Sequence, residues 1–246
     1  MLKAMVHVTS LSTYNSCPLL SSFDWWPLDP KLTFKGDLLN TVINSQWPYD
    51  EHIKRYNENI TYDFKDSQMM QKIFDMAREK VAEIKAKHKR VYQEWKMLYK
   101  YNDEYRVVGT PDIVYYDEER DLWCVRDWKY STHSRYLNEE VTKNDMQKII
   151  YPLFVCNMFG VDKVEFSFSV FDKGTGKFWE KPEIITYDHA KKVTDRVMKD
   201  YIESLERGEY PPKENKKCKW MCDVKKCGKC PLFQTQVSIT EVDDFL

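Results

Sequence analysis

Three side chains in one short stretch have the types and the spacing to hold a divalent cation. Asp112 follows Pro111, and Asp127 and Lys129 lie two apart on either side of Trp128. Alternate side chains of an extended strand share a face, so Asp127 and Lys129 point one way and Trp128 the other. With Asp112 on a partner strand facing the same side, two carboxylates and one ammonium converge. Two carboxylates in one place cost repulsion and desolvation unless a cation neutralises them. A hard ion with oxygen ligands, such as Mg²⁺, fits that demand. An Asp-X-Lys triplet also arises by chance on solvated strands, so the flanking elements must agree.

The residues around the triplet read as a β-hairpin. From Arg106 to Tyr116 and from Leu122 to Tyr130, two β-branched and aromatic runs flank the charged turn Asp117-Glu118-Glu119-Arg120-Asp121. Pro111 has no N–H to give a ladder, so the backbone is irregular just where Asp112 sits. By alternation Arg126 faces away from the site.

Periodicity places the other elements. A short helix covers 9–22 and ends near Pro18. A long helix over 66–90 carries Met69, Met70, Ile73, Phe74, Ala77, Val81 and Ile84 at helical spacing, a core stripe. Its basic end, Lys85 to Arg90, is a solvated face or a backbone-phosphate contact. A strand is expected over Val91–Tyr99, carrying Glu94 as a further acidic candidate. A helix starting at Asn138, kinked at Pro152, stops at Gly160. It sets Gln147 and Tyr151 four apart on one face. A strand over 163–171 alternates Val164, Phe166, Phe168 and Val170, and a turn over 172–177 leads to a second strand near 178–187. A final helix, capped by Asp188, runs to Arg207 and closes at Gly208. From residue 66 the order is helix, three strands, helix, strand: a fold of the α/β class.

The whole chain has 246 residues and a formal net charge of −1, so any nucleic-acid contact must come from local patches. It has no 18-residue apolar run and no apolar leader, which leads us to expect a cytoplasmic protein without a membrane span. Disulfides are then not expected, and the seven cysteines need another account. Cys218, Cys222, Cys227 and Cys230 are separated by three, four and two residues, a spacing that binds Zn²⁺ or an iron–sulfur cluster. Seven lysines and two acids share that stretch, 213–229, making it locally basic. Lys213, Lys216, Lys217, Lys219, Lys225 and Lys226 are candidate DNA-backbone contacts. Trp25, Trp26 and Trp47 read as core or as base-stacking surfaces.

Pro111-Asp112, a hairpin and then Asp127-X-Lys129 together resemble the PD-(D/E)XK nuclease superfamily. Ser10-X-X-X-Tyr14-X-X-Cys17-Pro18 and Gln147-X-X-X-Tyr151 are similar to motifs of its RecB-type members, including CRISPR adaptation nucleases, AddB-like enzymes and phage exonucleases. The resemblance implies a mixed sheet flanked by helices and hydrolysis of DNA phosphodiesters with Mg²⁺ or Mn²⁺. Asp112, Asp127 and the Trp128 carbonyl would hold the metal, Lys129 would act at the reacting phosphate, and Gln147 and Tyr151 would position the strand. Where relatives carry a metal-ligating histidine this chain has Asn40, whose oxygen is still a candidate ligand; Glu94 is a second. The resemblance also implies a 4Fe–4S cluster held by Cys17 and three of the late cysteines. Their spacing departs from the family's, and four local thiols suffice for a structural Zn²⁺.

One RecB-like nuclease domain is thus expected over 1–235, with a core at 66–172, N-terminal helices at 9–48, the helix at 188–207 and the cysteine cluster at 210–233. An acidic tail, 236–246, is expected to be flexible or to dock a replication or recombination protein. The expected activity is an exonuclease on single-stranded DNA ends or flaps. A silent DNA-binding module with a structural metal cluster, or a site-specific endonuclease, is the alternative.

Overall fold

The structure is a computed structural model that describes residues 2–21, 64–131, 136, 142–143, 145–213 and 230. The described elements are β1 (Ala4–His7), α1 (Val8–Ser16), α2 (Pro18–Ser21), α3 (Phe64–Lys87), β2 (Val91–Gln93), β3 (Met97–Lys100), β4 (Tyr105–Gly109), β5 (Ile113–Asp117), β6 (Leu122–Ser131), α4 (Gln147–Phe159), β7 (Lys163–Asp172), β8 (Phe178–Glu180), β9 (Glu183–Thr186) and α5 (Tyr187–Arg207).

Two sheets share the work. A three-stranded sheet runs β1-β4-β3, and a six-stranded sheet runs β2-β5-β6-β7-β8, with β9 also on β7. Pro111 lies where the chain leaves the first sheet and enters the second, between β4 and β5. There its missing N–H does no harm to either ladder. β5 and β6 are antiparallel, whereas β6 and β7 are parallel and need the crossover that α4 provides.

The large sheet is covered on both faces. Val114, Val125, Phe166, Phe168 and Val170 face a core built with α4, α5 and the small sheet. Ile113, Trp128 and Phe171 face the stripe Met70, Ile73, Phe74, Ala77 and Val81 of α3. Strand alternation therefore sends Trp128 towards α3 and its neighbours Asp127 and Lys129 towards α4, as their spacing predicts. α4 is buried continuously from Ile149 to Cys156 and ends in the left-handed Gly160, φ 65°. α5 buries Ala190, Thr194, Val197 and Met198, a single stripe, and closes at the left-handed Gly208.

Three expectations need correction. The stretch 91–99 is not one strand: β2 pairs with β5 in the large sheet, while β3 pairs with β4 in the small one. The break falls at Glu94, which takes a left-handed φ of 46°. Residues 178–187 likewise form two short strands. The cap of α5 is Thr186, whose hydroxyl accepts from the His189 N–H at 3.4 Å; Asp188 lies inside the first turn, favourable to the helix dipole. Of the helix expected from Asn138, the part from Gln147 onward is α4, and Asn138 itself lies outside the described residues.

Candidate active site

The β5–β6 register pairs Ile113 with Arg126, so one residue further Asp112 stands across from Asp127. There β6 outruns β5, and the edge of β6 would be left bare. The Asp112 carboxylate fills the gap by accepting the Trp128 N–H at 2.5 Å. A strand residue's N–H and C=O serve the same edge, so the Trp128 carbonyl is on Asp112's side too. Both carboxylates are almost fully enclosed, Asp112 at 6% and Asp127 at 2% exposure.

Lys129 Nζ forms an ion pair with Asp127 Oδ2 and donates to Gln147 Oε1 at 3.1 Å. Gln147 Nε2 donates to Asp127 Oδ1 at 3.2 Å and to the Tyr151 hydroxyl at 3.1 Å. The amide has one sensible orientation, since an ammonium only donates and a carboxylate only accepts. The Lys129 ammonium also lies 5.6 Å from the centre of the Phe168 ring and 5.9 Å from that of Tyr136.

Electrostatics follow from this crowding. Burial first, and then the Asp127 charge, push the Asp112 carboxyl well above its ordinary range, against the pull of Lys129 and the Trp128 N–H. Burial raises Asp127 as well, against Lys129. Burial opposes the Lys129 ammonium, but the carboxylates of Asp127 and Asp112 outweigh it and hold that pKa above its usual value. The Tyr151 phenol is raised by burial and by Asp127, so it stays protonated. Its oxygen accepts from Gln147 and its proton remains to be donated.

Asp127 Oδ2 is buried, with the Lys129 ammonium as its ion-pair partner. A site with two raised carboxyls and such an oxygen suits a divalent cation, whose charge would restore both to their ionised form. Among the described residues, no three histidine, cysteine or acidic side chains gather closely enough to make a metal site by themselves. The oxygens that the described residues offer there are those of the two carboxylates, with the Trp128 backbone beside them.

The structure thus gathers Asp112, Asp127, Lys129, Gln147 and Tyr151, with the Trp128 backbone. Glu94 lies at the rim: its N–H donates to the Asp112 carbonyl at 3.0 Å, its side chain is exposed, and its charge adds to the rise of Asp112. Arg126 points away, as alternation demands, and pairs with Glu165 Oε1 at 2.6 Å and Glu180 Oε1 at 3.3 Å. Cys17 and Cys230 are buried, and Lys213 is exposed, donating to the Asn15 carbonyl at 3.0 Å. Asn40, Cys218, Cys222, Cys227, Lys216, Lys217, Lys219, Lys225 and Lys226 lie outside the described residues, as do Trp25, Trp26, Trp47 and the tail 236–246.

One contributor had no signal in the sequence beyond its small size. A Cβ on Gly109 would meet Tyr151 Cε1 and Val8 Cγ2, each at 2.8 Å. Only glycine lets β4 approach α4 closely enough to press Tyr151 into place.

The PD-(D/E)XK nuclease superfamily model matches residues 28–231, most of the chain. The chain belongs to the PD-(D/E)XK nuclease superfamily. Asp112, Asp127 and Lys129 lie within the matched residues. The crystal structure of a "Putative exonuclease" from Eubacterium rectale superposes with a TM-score of 0.54 at 15% identity, over 89% of this chain and 86% of that one. That of SSO0001 gives 0.48 at 18% identity, over 94% and 89%. At such identities the first likeness shows the fold alone. No curated protein sequence matches.

Proposed function

We propose that this PD-(D/E)XK chain is a metal-dependent deoxyribonuclease, an exonuclease acting on single-stranded ends or flaps in replication, recombination or repair. The observation that carries this reading is the enclosed pair Asp112 and Asp127 with Lys129 bonded into it. Isolated, such a pair is costly: like charges brought to about 4 Å repel by about 4 kcal/mol at an effective dielectric constant of about 20, and more weakly farther apart. A cost of that size is tolerated where a cation and an anionic substrate use it.

Asp112, Asp127 and the Trp128 carbonyl would hold Mg²⁺ or Mn²⁺. When bound, the metal polarises the phosphate and makes a bound water more acidic. Lys129, kept charged by its carboxylate neighbours, faces the charge that builds on the phosphate oxygens. Gln147 ties Lys129, Asp127 and Tyr151 into one unit, so the ammonium is oriented before substrate arrives. The Tyr151 hydroxyl supplies a donor for a phosphate oxygen. Asn40 and Glu94 are further candidates at the metal. The neighbour of this fold from Eubacterium rectale carries the name "Putative exonuclease", which agrees with this reading. Cys17 with the late cysteines is proposed to hold a 4Fe–4S cluster, or the late four a structural Zn²⁺, and the lysines of that segment to grip the DNA backbone.

The test compares a linear single strand with the same strand covalently closed, each with Mg²⁺, with Mn²⁺ and with chelator. The proposal expects metal-dependent loss of the linear strand and an intact circle. A nicked circle would make the protein an endonuclease. Binding without cleavage, identical in Asp127→Ala, would make it a silent DNA-binding module.

A further inference from the structure

The amide of Gln147 is the hub of the site, yet Gln147 is the first residue of α4, and first turns are weakly held. Their leading N–H groups have no partner within the helix. Here two N–H groups at the start of α4 are satisfied, one of them across the fold. The Met146 N–H donates to the Ser12 hydroxyl at 2.8 Å. That hydroxyl donates in turn to Asp145 Oδ1 at 3.1 Å, and the Gln147 N–H donates to the same Oδ1 at 3.1 Å. Asn15, one turn further along α1, reaches the Met146 sulfur at 3.6 Å. A serine from a helix 133 positions away thus completes the cap.

Asp145 also acts through space. Its charge is felt at both Asp127 and Lys129, opposing ionisation of the first and favouring charge on the second. It makes no hydrogen bond to either, and among the described residues no three acidic groups converge as a metal site. It is placed to hold Gln147 rather than to ligate.

From this we infer that Ser12 and Asp145 are positioning residues for the proposed phosphodiester cleavage, a clasp that fixes where the Gln147 amide stands between Asp127, Lys129 and Tyr151. The inference rests on the nuclease reading for its kinetic consequence, but its structural half is independent. α1 then serves the active site as well as the core.

Kinetics and spectroscopy test the two halves separately. Asp145→Ala and Ser12→Ala are expected to lower kcat by about 10–100-fold, the usual effect of losing a group that orients a working residue. KM for single-stranded DNA should hold within about threefold. Asp145→Asn, which keeps the acceptor oxygen, and Ser12→Thr, which keeps the hydroxyl, should recover most of the loss. The Asp145→Ala, Gln147→Ala double variant should be no slower than Gln147→Ala alone, since the clasp acts through that amide. Independently of cleavage, the Gln147 side-chain NH₂ resonances, assigned from their loss in Gln147→Ala, should move towards the free-amide position in Asp145→Ala and stay put in Asp145→Asn. Unmoved resonances, or rate losses that add to that of Gln147→Ala, overturn the clasp. Wild-type protein that cuts no DNA with either metal, while the resonances shift as expected, overturns the nuclease reading and leaves the clasp standing.

Discussion

At Asp112 the demands of folding and of chemistry are opposed. Its carboxyl is raised chiefly by burial, then by Asp127, so the folded protein holds this proton more tightly than the unfolded chain does. The sign of the consequence is fixed: metal-free protein loses stability as pH rises from the unfolded carboxylate value, near 4, through the higher folded value. A divalent cation bound between the two carboxylates would reverse that loss. Asp112→Asn keeps an oxygen for the Trp128 N–H and removes the charge. Its cleavage should fall to background. Its melting temperature in chelator at neutral pH should equal or exceed that of the wild type, and Mg²⁺ should no longer raise it. Calorimetry with and without metal reads both effects. A variant that melts well below the wild type in chelator would show that the Asp112 charge stabilises the fold.

At the scale of elements, two local arrangements decide how firmly the site is framed. The hairpin turn is bonded to β7 through Glu165, which accepts from Arg120 Nη1 and Arg126 Nη2, each at 2.6 Å. Burial opposes ionisation of Glu165, but the two guanidiniums prevail and hold its carboxyl below the usual range. Its stabilising contribution is complete above the unfolded value, near 4.3, and is lost as pH falls through the folded one. Glu165→Gln should cost about 3–5 kcal/mol near neutrality, as breaking a buried pair does. The acid side of its stability profile should also be flatter. Denaturant titration across pH 3–7 measures both. On the opposite side of the sheet Gly109→Ala drives a methyl to 2.8 Å from the Tyr151 ring. We expect a loss of about 1–3 kcal/mol from overpacking, with kcat reduced because Tyr151 is displaced. These two cases mark what the sequence could tell. Alternation in 163–172, the stripe on α3 and the glycine stops at 160 and 208 are short-range periodicities, and they were legible with the hairpin and its convergent carboxylates. The break at Glu94 was not, because a left-handed φ at a glutamate carries no residue signature. Nor were the Gly109–Tyr151 approach and the Ser12–Asp145 bond, which exist only once distant segments have packed.

Across the whole molecule, α1 joins regions far apart in the chain. Tyr14 donates its hydroxyl to the Asp200 carbonyl at 2.8 Å and packs edge-on against Tyr201, both on α5. Lys213 bonds to the Asn15 carbonyl, so the segment leading to the late cysteines starts beside the residue two before Cys17. A metal held by Cys17 and late cysteines would close a loop of about 200 residues. By the loop-entropy argument such a closure is worth on the order of 5 kcal/mol. Because Ser12 sits on that same helix, loosening α1 should reach Gln147 as well. The consequence can be separated from a local zinc knot. Cys17→Ser in protein purified without oxygen should lose iron and visible absorption, melt earlier, expose the chain beyond Gly208 to protease, and cut DNA more slowly. If late cysteines alone bind one zinc, Cys17→Ser keeps its metal and its protease pattern, and the path from the cysteines through α1 to the active site has no physical basis.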